Sequence, residues 1–210
     1  MTIAASVDMS ASSNADGPIP DKRSAPRFTS LIRAAKLVSP QGEFVCVVRD
    51  VSSGGVRLRC FHEVPHGPGM ALELHNREVL AIERIRQDGF EASFRFAEHI
   101  PIERLISDAQ FYPRRLLRLN IAIPLTLRTL GGPVAAVTRN ISQQGCRVEC
   151  AMPLALAQPL TIETPHLPSI RAKVRWRQES ECGLVFDDTF SLKDFAVRVA
   201  RLQCPALVAG

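Results

Sequence analysis

The stretch Asp50-Val-Ser-Ser-Gly-Gly-Val-Arg-Leu-Arg-Cys60 is matched 90 residues later by Asn140-Ile-Ser-Gln-Gln-Gly-Cys-Arg-Val-Glu-Cys150. Each copy carries the pattern (D/N)-x-S-x-x-G, which is typical of a turn, and then alternates between apolar and polar residues. The alternation predicts a strand with one buried face after each turn. The offset of 90 also relates Phe96 to Phe186. Because only two copies occur, the period indicates a duplicated domain rather than a solenoid.

A second pattern, R-x-x-x-R, precedes each of these turns. It reads Arg23-Ser-Ala-Pro-Arg27 in the first copy and Arg114-Arg-Leu-Leu-Arg118 in the second, at an offset of 91. Pro26 disfavours a helical conformation at Ala25, so the first copy predicts an extended arm before the first strand. Guanidinium forks bind phosphate through two hydrogen bonds and stack on flat bases. A solvated basic linker would explain one copy, but recurrence at nearly the same distance from the same turn favours an anion-binding role.

Composition and length agree with two small soluble domains. The 210 residues are 46% hydrophobic and 22% charged, which is ordinary for globular proteins, and two domains of roughly 90 residues each can form modest cores. The net charge of +5 suits an anionic ligand but does not by itself indicate a nucleic-acid partner. Six cysteines occur without a C-x-x-C pair, so we expect buried cytosolic thiols and no metal site.

The chain also carries signals about location. No stretch approaches 18 apolar residues and the N-terminus lacks the features of a secretory signal, so we expect a cytoplasmic protein without a membrane span. Residues 1–21 are small and polar, which predicts a disordered tail.

Each half predicts about six short strands followed by a helix. The predicted strands are, in the first half, Leu31–Val38, Glu43–Asp50, Val56–Cys60, Met70–Leu74, Val79–Arg86 and Phe90–Phe96, and in the second half Ile121–Thr129, Val134–Asn140, Cys146–Cys150, Leu160–Ile162, Ile170–Arg177 and Cys182–Phe186. Many short strands with regular turns indicate a mainly β protein, either a small barrel or a sandwich. Apolar residues at helical spacing predict one helix from Ile102 to Ala109 and another from Leu192 to Val199, capped by Ser191. We expect these helices to close a barrel mouth or to pack on the neighbouring domain, since the connecting segment Phe111–Pro113 is short.

The polar residues of the two turns allow two interpretations. Asp50 and Ser52 are two residues apart, so they lie on one face where a strand ends. A carboxylate there can accept hydrogen bonds from the N1–H and N2–H groups of guanine. Gly55 permits a positive φ or the close approach of a ligand to the backbone. The alternative is an Asx-type turn that closes a hairpin, because Asp, Asn and Ser often bond their own backbone.

The combined pattern resembles the PilZ domain family, bacterial receptors for the second messenger cyclic di-GMP. The resemblance covers about residues 22–107 and 111–205 and includes both family signatures in both copies. It implies two six-stranded antiparallel β-barrels, each followed by a short α-helix. It also implies that the arginines grip phosphate and stack on guanine, while the turn residues read guanine edges. The implied ligand residues are Lys22, Arg23, Arg27, Asp50, Ser52 and Gly55 in the first copy, and Arg114, Arg118, Asn140, Ser142 and Gly145 in the second.

The two copies depart from the family's pattern in different ways. Late strands of such domains often carry a tryptophan and then a glycine, which are Trp176 and Gly183 in the second copy but Arg86 and Ser93 in the first. Asn140 replaces the aspartate, so the second site lacks a charge-assisted acceptor. A basic residue before R-x-x-x-R favours a stacked ligand dimer in the family, and only the first copy has one, Lys22. The sequence therefore predicts stronger binding at the first site.

The function implied is that of a non-enzymatic receptor in which cyclic di-GMP orders the arginine arm onto the barrel. It acts on a downstream protein that the sequence does not name; motility, polysaccharide and pilus machinery and transcription are all open. An alternative is a degenerate pair that works as a protein adaptor without nucleotide. A single-strand RNA binder would need exposed aromatic platforms, which one Trp and one Tyr do not supply. Ser52 and Ser142 have no nearby His–acid pair and no phosphate-loop signature occurs, so we expect neither an enzyme nor a cofactor.

Overall fold

The computed structural model describes residues 33–74, 77–105, 117–165 and 167–209. Several sequence predictions fall outside these ranges and are not addressed by the fold: the tail at 1–21, the arm residues Lys22, Arg23 and Arg27, Arg114, the segment 111–113, and the end of the first predicted helix.

The first half of the described chain forms a closed antiparallel barrel. Its strands are β1 (Arg33–Ser39), β2 (Gly42–Ser52), β3 (Gly55–Cys60), β4 (Ala71–Glu73), β5 (Val79–Asp88) and β6 (Glu91–Phe96). They pair in the order β1-β2-β3-β6-β5-β4, and the pairing of β4 with β1 closes the barrel. Closure leaves no sheet edge exposed to another chain.

The second half repeats this architecture. Its strands are β7 (Pro124–Thr129), β8 (Gly132–Ser142), β9 (Gly145–Cys150), β10 (Pro159–Thr164), β11 (Leu167–Gln178) and β12 (Glu181–Phe186). They pair in the order β7-β8-β9-β12-β11-β10, which matches the first barrel strand for strand. The pairing of β10 with β7 closes the barrel. The prediction of a mainly β protein with two six-stranded barrels is confirmed.

One predicted boundary shifts for a clear physical reason. The sequence predicts that β7 begins at Ile121, but it begins at Pro124. The buried Thr138 side chain occupies the ladder position here, because its hydroxyl accepts the N–H of Ile123 at 2.8 Å and donates to the carbonyl of Ile121. Ile121 and Ile123 therefore enter the core beside β8 without continuing the sheet.

A difference between β2 and β8 shows where the barrels meet. The run Phe44-Val-Cys-Val-Val48 is buried at every residue, whereas the equivalent run Val134–Thr138 alternates between buried and exposed. A continuous apolar run is typical of a strand covered on both faces. Phe44 and Cys46 pack inside the first barrel, while Val45 joins the core of the second. Strand β2 is therefore a shared wall between the two domains.

The second helix covers this contact. The described part of the first helix, α1, is residues 102–105, and α2 is Leu192–Gln203, followed by a 3-10 turn at Pro205–Val208. Ser191 caps α2 as predicted, since its hydroxyl accepts the N–H of Asp194 at 3.1 Å. Phe195 and Val199 pack into the second barrel, and Ala200 and Leu207 pack into the first. Helix α2 thus packs on the neighbouring domain as well as on its own.

The cysteines behave as core residues. Five are buried and Cys204 is half-buried, with no disulfide among them. Burial raises the pKa of the Cys60 and Cys146 thiols to about 12, which makes them poor nucleophiles and metal ligands at neutral pH. Within the described ranges, no helix has both the length and the apolar character needed to cross a membrane.

Candidate functional site

Both barrels carry β-bulges beside the repeated turn. The pairing of β2 with β3 shifts register between Val48 and Asp50, and that of β8 with β9 shifts between Thr138 and Asn140. A bulge re-aims a side chain and is common at the rim of a barrel next to a binding site. The first polar residue of each motif therefore stands at a local kink in its strand.

The motif serines close their hairpins. Ser52 Oγ donates to the Gly55 carbonyl at 3.3 Å, and Ser142 Oγ donates to the Gly145 carbonyl at 3.0 Å. The hydroxyl hydrogens therefore close the hairpins, as the second interpretation of these turns predicted. Each hydroxyl oxygen retains lone pairs that can accept a hydrogen bond from a ligand.

The motif glycines are explained by the neighbouring strand. Neither Gly55 nor Gly145 has a positive φ. A Cβ atom at Gly55 would overlap the Phe94 carbonyl oxygen, and one at Gly145 would overlap the Leu184 carbonyl oxygen. Of the two reasons expected for Gly55, the positive φ is therefore wrong. The close approach that the structure shows is that of the β6 or β12 backbone, and the expected approach of a ligand stays a prediction.

The second barrel brings four predicted ligand residues to one surface, which we call the second groove. It has a volume of about 610 Å³, and its lining includes Arg118, Asn140, Ser142, Gly145, Arg147, Arg175, Trp176 and Gly183. Arg118 reaches the groove because Leu119 exchanges two backbone hydrogen bonds with Ile141, both 2.9 Å long. Leu119 is fully buried and holds the segment against β8. Two distant motifs therefore meet.

A tryptophan forms the far side of the second groove. Trp176 is paired with Gly183 across β11 and β12, and a Cβ atom at Gly183 would overlap its indole ring. The ring therefore lies flat over the glycine, with 40% of the residue exposed. The Arg147 guanidinium lies 6.0 Å from the ring centroid and pairs with Glu181. Such a ring is a ready stacking surface for a base.

The first barrel has a corresponding first groove of about 540 Å³. Its lining includes Asp50, Ser52, Gly55, Arg57, Ile85, Arg86, Asp88, Glu91 and Ser93. Arg86 pairs with Ser93 where the second barrel has Trp176 and Gly183, so no aromatic platform forms. Arg57 bonds Glu91 at 2.6 Å, as Arg147 bonds Glu181. The scaffold is repeated, but the surface is not.

The described residues give the two grooves opposite charge. Four arginines and one carboxylate line the second groove, whereas two arginines and three carboxylates line the first. Lys22, Arg23 and Arg27 would add positive charge at the first groove and Arg114 at the second, but these residues lie outside the described ranges. Among described residues, the second groove is the better environment for an anion.

Part of each lining lies outside the predicted site residues. Arg57 and Arg147 are repeated at the offset of 90, so the repeat itself carried the signal. No such signal exists for Glu73, Leu74 and Arg77, which belong to the first barrel yet line the second groove. Their contribution depends on how the two barrels pack together. The second groove is therefore built by both domains.

Comparison with known proteins places these features in one family. A family profile for the PilZ domain matches residues 91–197, about half of the chain. No curated protein sequence matches this chain significantly.

Similar solved structures include the PilZ domain of CeSA from a cellulose-synthesizing bacterium, with 21% identity, 41% of this chain and 94% of that chain covered, and a TM-score of 0.32. The PlzA protein of Borreliella burgdorferi in complex with c-di-GMP has 14% identity over 84% of this chain and 89% of that chain, with a TM-score of 0.35. YcgR from Escherichia coli in complex with c-di-GMP has 9% identity over 81% and 83%, with a TM-score of 0.31.

Proposed function

Because this chain belongs to the PilZ domain family, we propose that it is a non-enzymatic receptor for cyclic di-GMP whose principal site is the second groove. The observation that carries the proposal is the meeting of Arg118, Asn140 and Ser142 beside Trp176. These residues come from three separate stretches of sequence, and the fold brings them together.

The chemistry of the second groove suits a dinucleotide with two phosphodiesters and two guanines. A guanidinium such as Arg118 binds phosphate through paired, charge-assisted hydrogen bonds. The Asn140 amide oxygen can accept from a guanine edge, and the indole of Trp176 offers a stacking face. Arg114 would add a second phosphate ligand four residues before Arg118.

The choice of the second groove differs from the order expected from sequence alone. That order rests on Lys22 and on the Asp50 carboxylate, which accepts a stronger hydrogen bond than an amide does. Against it stand the stacking surface of Trp176 and the excess of arginines at the second groove. A base stacked on an aromatic ring gains about 1–3 kcal/mol, comparable with a hydrogen bond to a charged group at about 1.5–3 kcal/mol.

We assign the first groove to a weaker site for the same ligand, bound by Arg23 and Arg27 with Asp50, Ser52 and Gly55. Ordering of the arm at 22–27 would then accompany occupancy of this groove. In the receptor proposal, a ligand changes the surface offered to a downstream protein. A pair of barrels that works as an adaptor without nucleotide is the outcome if neither groove binds.

The test is calorimetric titration of the full chain with cyclic di-GMP, beside Arg118→Ala and Arg27→Ala. We expect binding at micromolar ligand or below, with the stronger phase weakened by Arg118→Ala and the weaker one by Arg27→Ala. Cyclic di-AMP is the matched control ligand, because it keeps the phosphates and removes the guanine edge. Absence of heat and of thermal stabilisation at saturating ligand would refute the receptor proposal and leave the adaptor.

A further inference from the structure

A buried ammonium group lies in the first barrel on the side of the second groove. Lys36 on β1 is 2% exposed, and its Nζ lies 3.0 Å from Glu43 Oε2 and 2.9 Å from Glu73 Oε2. Burying a charge is costly even when it is paired, and an apolar side chain often serves stability equally well. The trio of Lys36, Glu43 and Glu73 therefore calls for an explanation other than core packing.

The duplicated barrel supplies an internal control. Lys36 pairs with Glu73 in the register of β1 and β4, and Thr126 pairs with Glu163 at the equivalent place in β7 and β10. The position equivalent to Glu43, at the offset of 90, is Pro133. The second barrel closes in the same strand order with no lysine here. The trio is thus not a requirement of this barrel.

What distinguishes the first barrel is its neighbour. The Glu43 carboxylate accepts the backbone N–H of Asn120 at 2.7 Å and its Nδ2 at 3.0 Å. Gln203 of α2 fixes the Glu43 backbone, accepting from its N–H at 2.9 Å and donating to its carbonyl at 2.6 Å. Asn120 is two residues after Arg118, and Glu73 lines the second groove. Both ends of the trio therefore reach the site of the other barrel.

We propose that Glu43, held by Lys36, is a positioning residue for Arg118 in the second groove. The backbone of Leu119 is bonded to Ile141 of the second barrel. The backbone N–H of Asn120 is bonded to Glu43 of the first barrel. Arg118 therefore presents its guanidinium from a segment that is already ordered, which lowers the entropy cost of binding an anion. By linkage, a ligand held by Arg118 strengthens the contact between the barrels by the same factor. This inference rests on the proposed function.

The test measures cyclic di-GMP affinity at the second groove alone. Trp176 is the single tryptophan of the chain and lines that groove, so its fluorescence reports this site and not the first. We expect Glu43→Ala to weaken the affinity about tenfold, the loss expected for a hydrogen bond to a charged group. Glu43→Gln keeps an acceptor for Asn120, so its affinity should fall only about threefold. This variant also provides the test if the alanine variant does not fold. Glu163→Gln, at the equivalent of Glu73 but paired on the surface with Arg128, is the control and should bind as the wild type does.

A double-mutant cycle separates positioning from stability. In an Arg118→Lys background, which keeps the charge so that binding stays measurable, the effect of Glu43→Ala should shrink below about threefold. A purely structural role would lower the melting temperature and leave the affinity unchanged. Wild-type affinity in both Glu43 variants, or an equal loss in both backgrounds, would overturn the inference while the receptor stands. No fluorescence or calorimetric response in the wild type would instead refute the proposed function.

Discussion

The two barrels share a backbone but not a surface. Each has a bulge before its motif, a serine that closes the hairpin and a glycine packed under the next strand. They differ where side chains point outward, at Trp176 against Arg86 and in the charge of the two grooves. The comparison shows that the repeated signature preserves the shape of the barrel rim, whereas residues outside the signature decide which groove suits the ligand.

The largest effect should appear where the barrels are most alike. Gly145→Ala and Gly55→Ala each place a Cβ atom on a carbonyl of the adjacent strand. We expect each to lower the free energy of unfolding by about 3 kcal/mol, the upper range for overpacking. Urea unfolding followed by circular dichroism measures it. Gly54→Ala, beside Gly55 but with open space around it, is the control and should cost less than about 1 kcal/mol. If only one of the two glycine variants lost little free energy of unfolding, the two turns would not be structurally equivalent.

The next effect addresses the arginines that the two copies share. We expect Arg118→Ala to weaken binding at the second groove and Arg27→Ala to weaken binding at the first, each by about 1.5–3 kcal/mol. Calorimetry gives both values. Arg128→Ala, which removes a surface ion pair on the second barrel, is the control for a general change in charge. An unchanged titration for one arginine variant would remove that residue from its site.

A transplant sharpens the difference between the grooves. Trp176→Phe should weaken the second site by about 1 kcal/mol, since stacking remains but on a smaller ring. The double variant Arg86→Trp with Ser93→Gly should strengthen the first site by a similar amount, because a tryptophan there can lie on glycine as Trp176 does. Ser93→Gly alone is the control. If the transplant leaves the first site unchanged while the protein stays folded, the platform does not explain the difference.

The smallest effect is on the pH dependence of stability, and only the first barrel should show it, through His62. Burial lowers the pKa of His62, opposed by a hydrogen bond to the Glu63 carbonyl, and no partner for Nε2 exists among the described residues. The unfolded chain therefore takes up a proton near pH 6.5 before the folded chain does. The contribution of His62 to the free energy of unfolding should fall as the pH drops below about 6.5 and should be constant above it. His62→Leu should remove that part of the slope, whereas the exposed His66→Gln should retain it.

Much of the fold was predictable because its signals are local. Alternation in Val56–Cys60 and its repeat gave the strands, and the repeat gave two domains. The apolar run at Phe44–Val48 predicted a strand, but not its burial on both faces, which depends on α2 and the second barrel. The motif residues Asn140, Ser142 and Arg118 lie at one groove, and their role as ligand residues stays a prediction.

The rest was not predictable because it arises between domains. Lys36, Glu43 and Arg77 have no counterparts of their type in the other copy, and nothing near them in sequence marks them as neighbours of Arg118. Their placement follows from the packing of the two barrels around β2 and α2. The positive φ considered for Gly55 was wrong for a different reason, since the contact that requires glycine comes from β6 of the same barrel, a strand distant in sequence.

The most direct test of the central claim is a titration of the full chain with cyclic di-GMP followed by Trp176 fluorescence. We predict a saturable change at micromolar ligand that Arg118→Ala removes and Arg27→Ala leaves in place. A wild-type signal that stays flat while calorimetry shows binding, or a signal that Arg27→Ala removes and Arg118→Ala does not, would contradict the assignment of the principal site to the second groove.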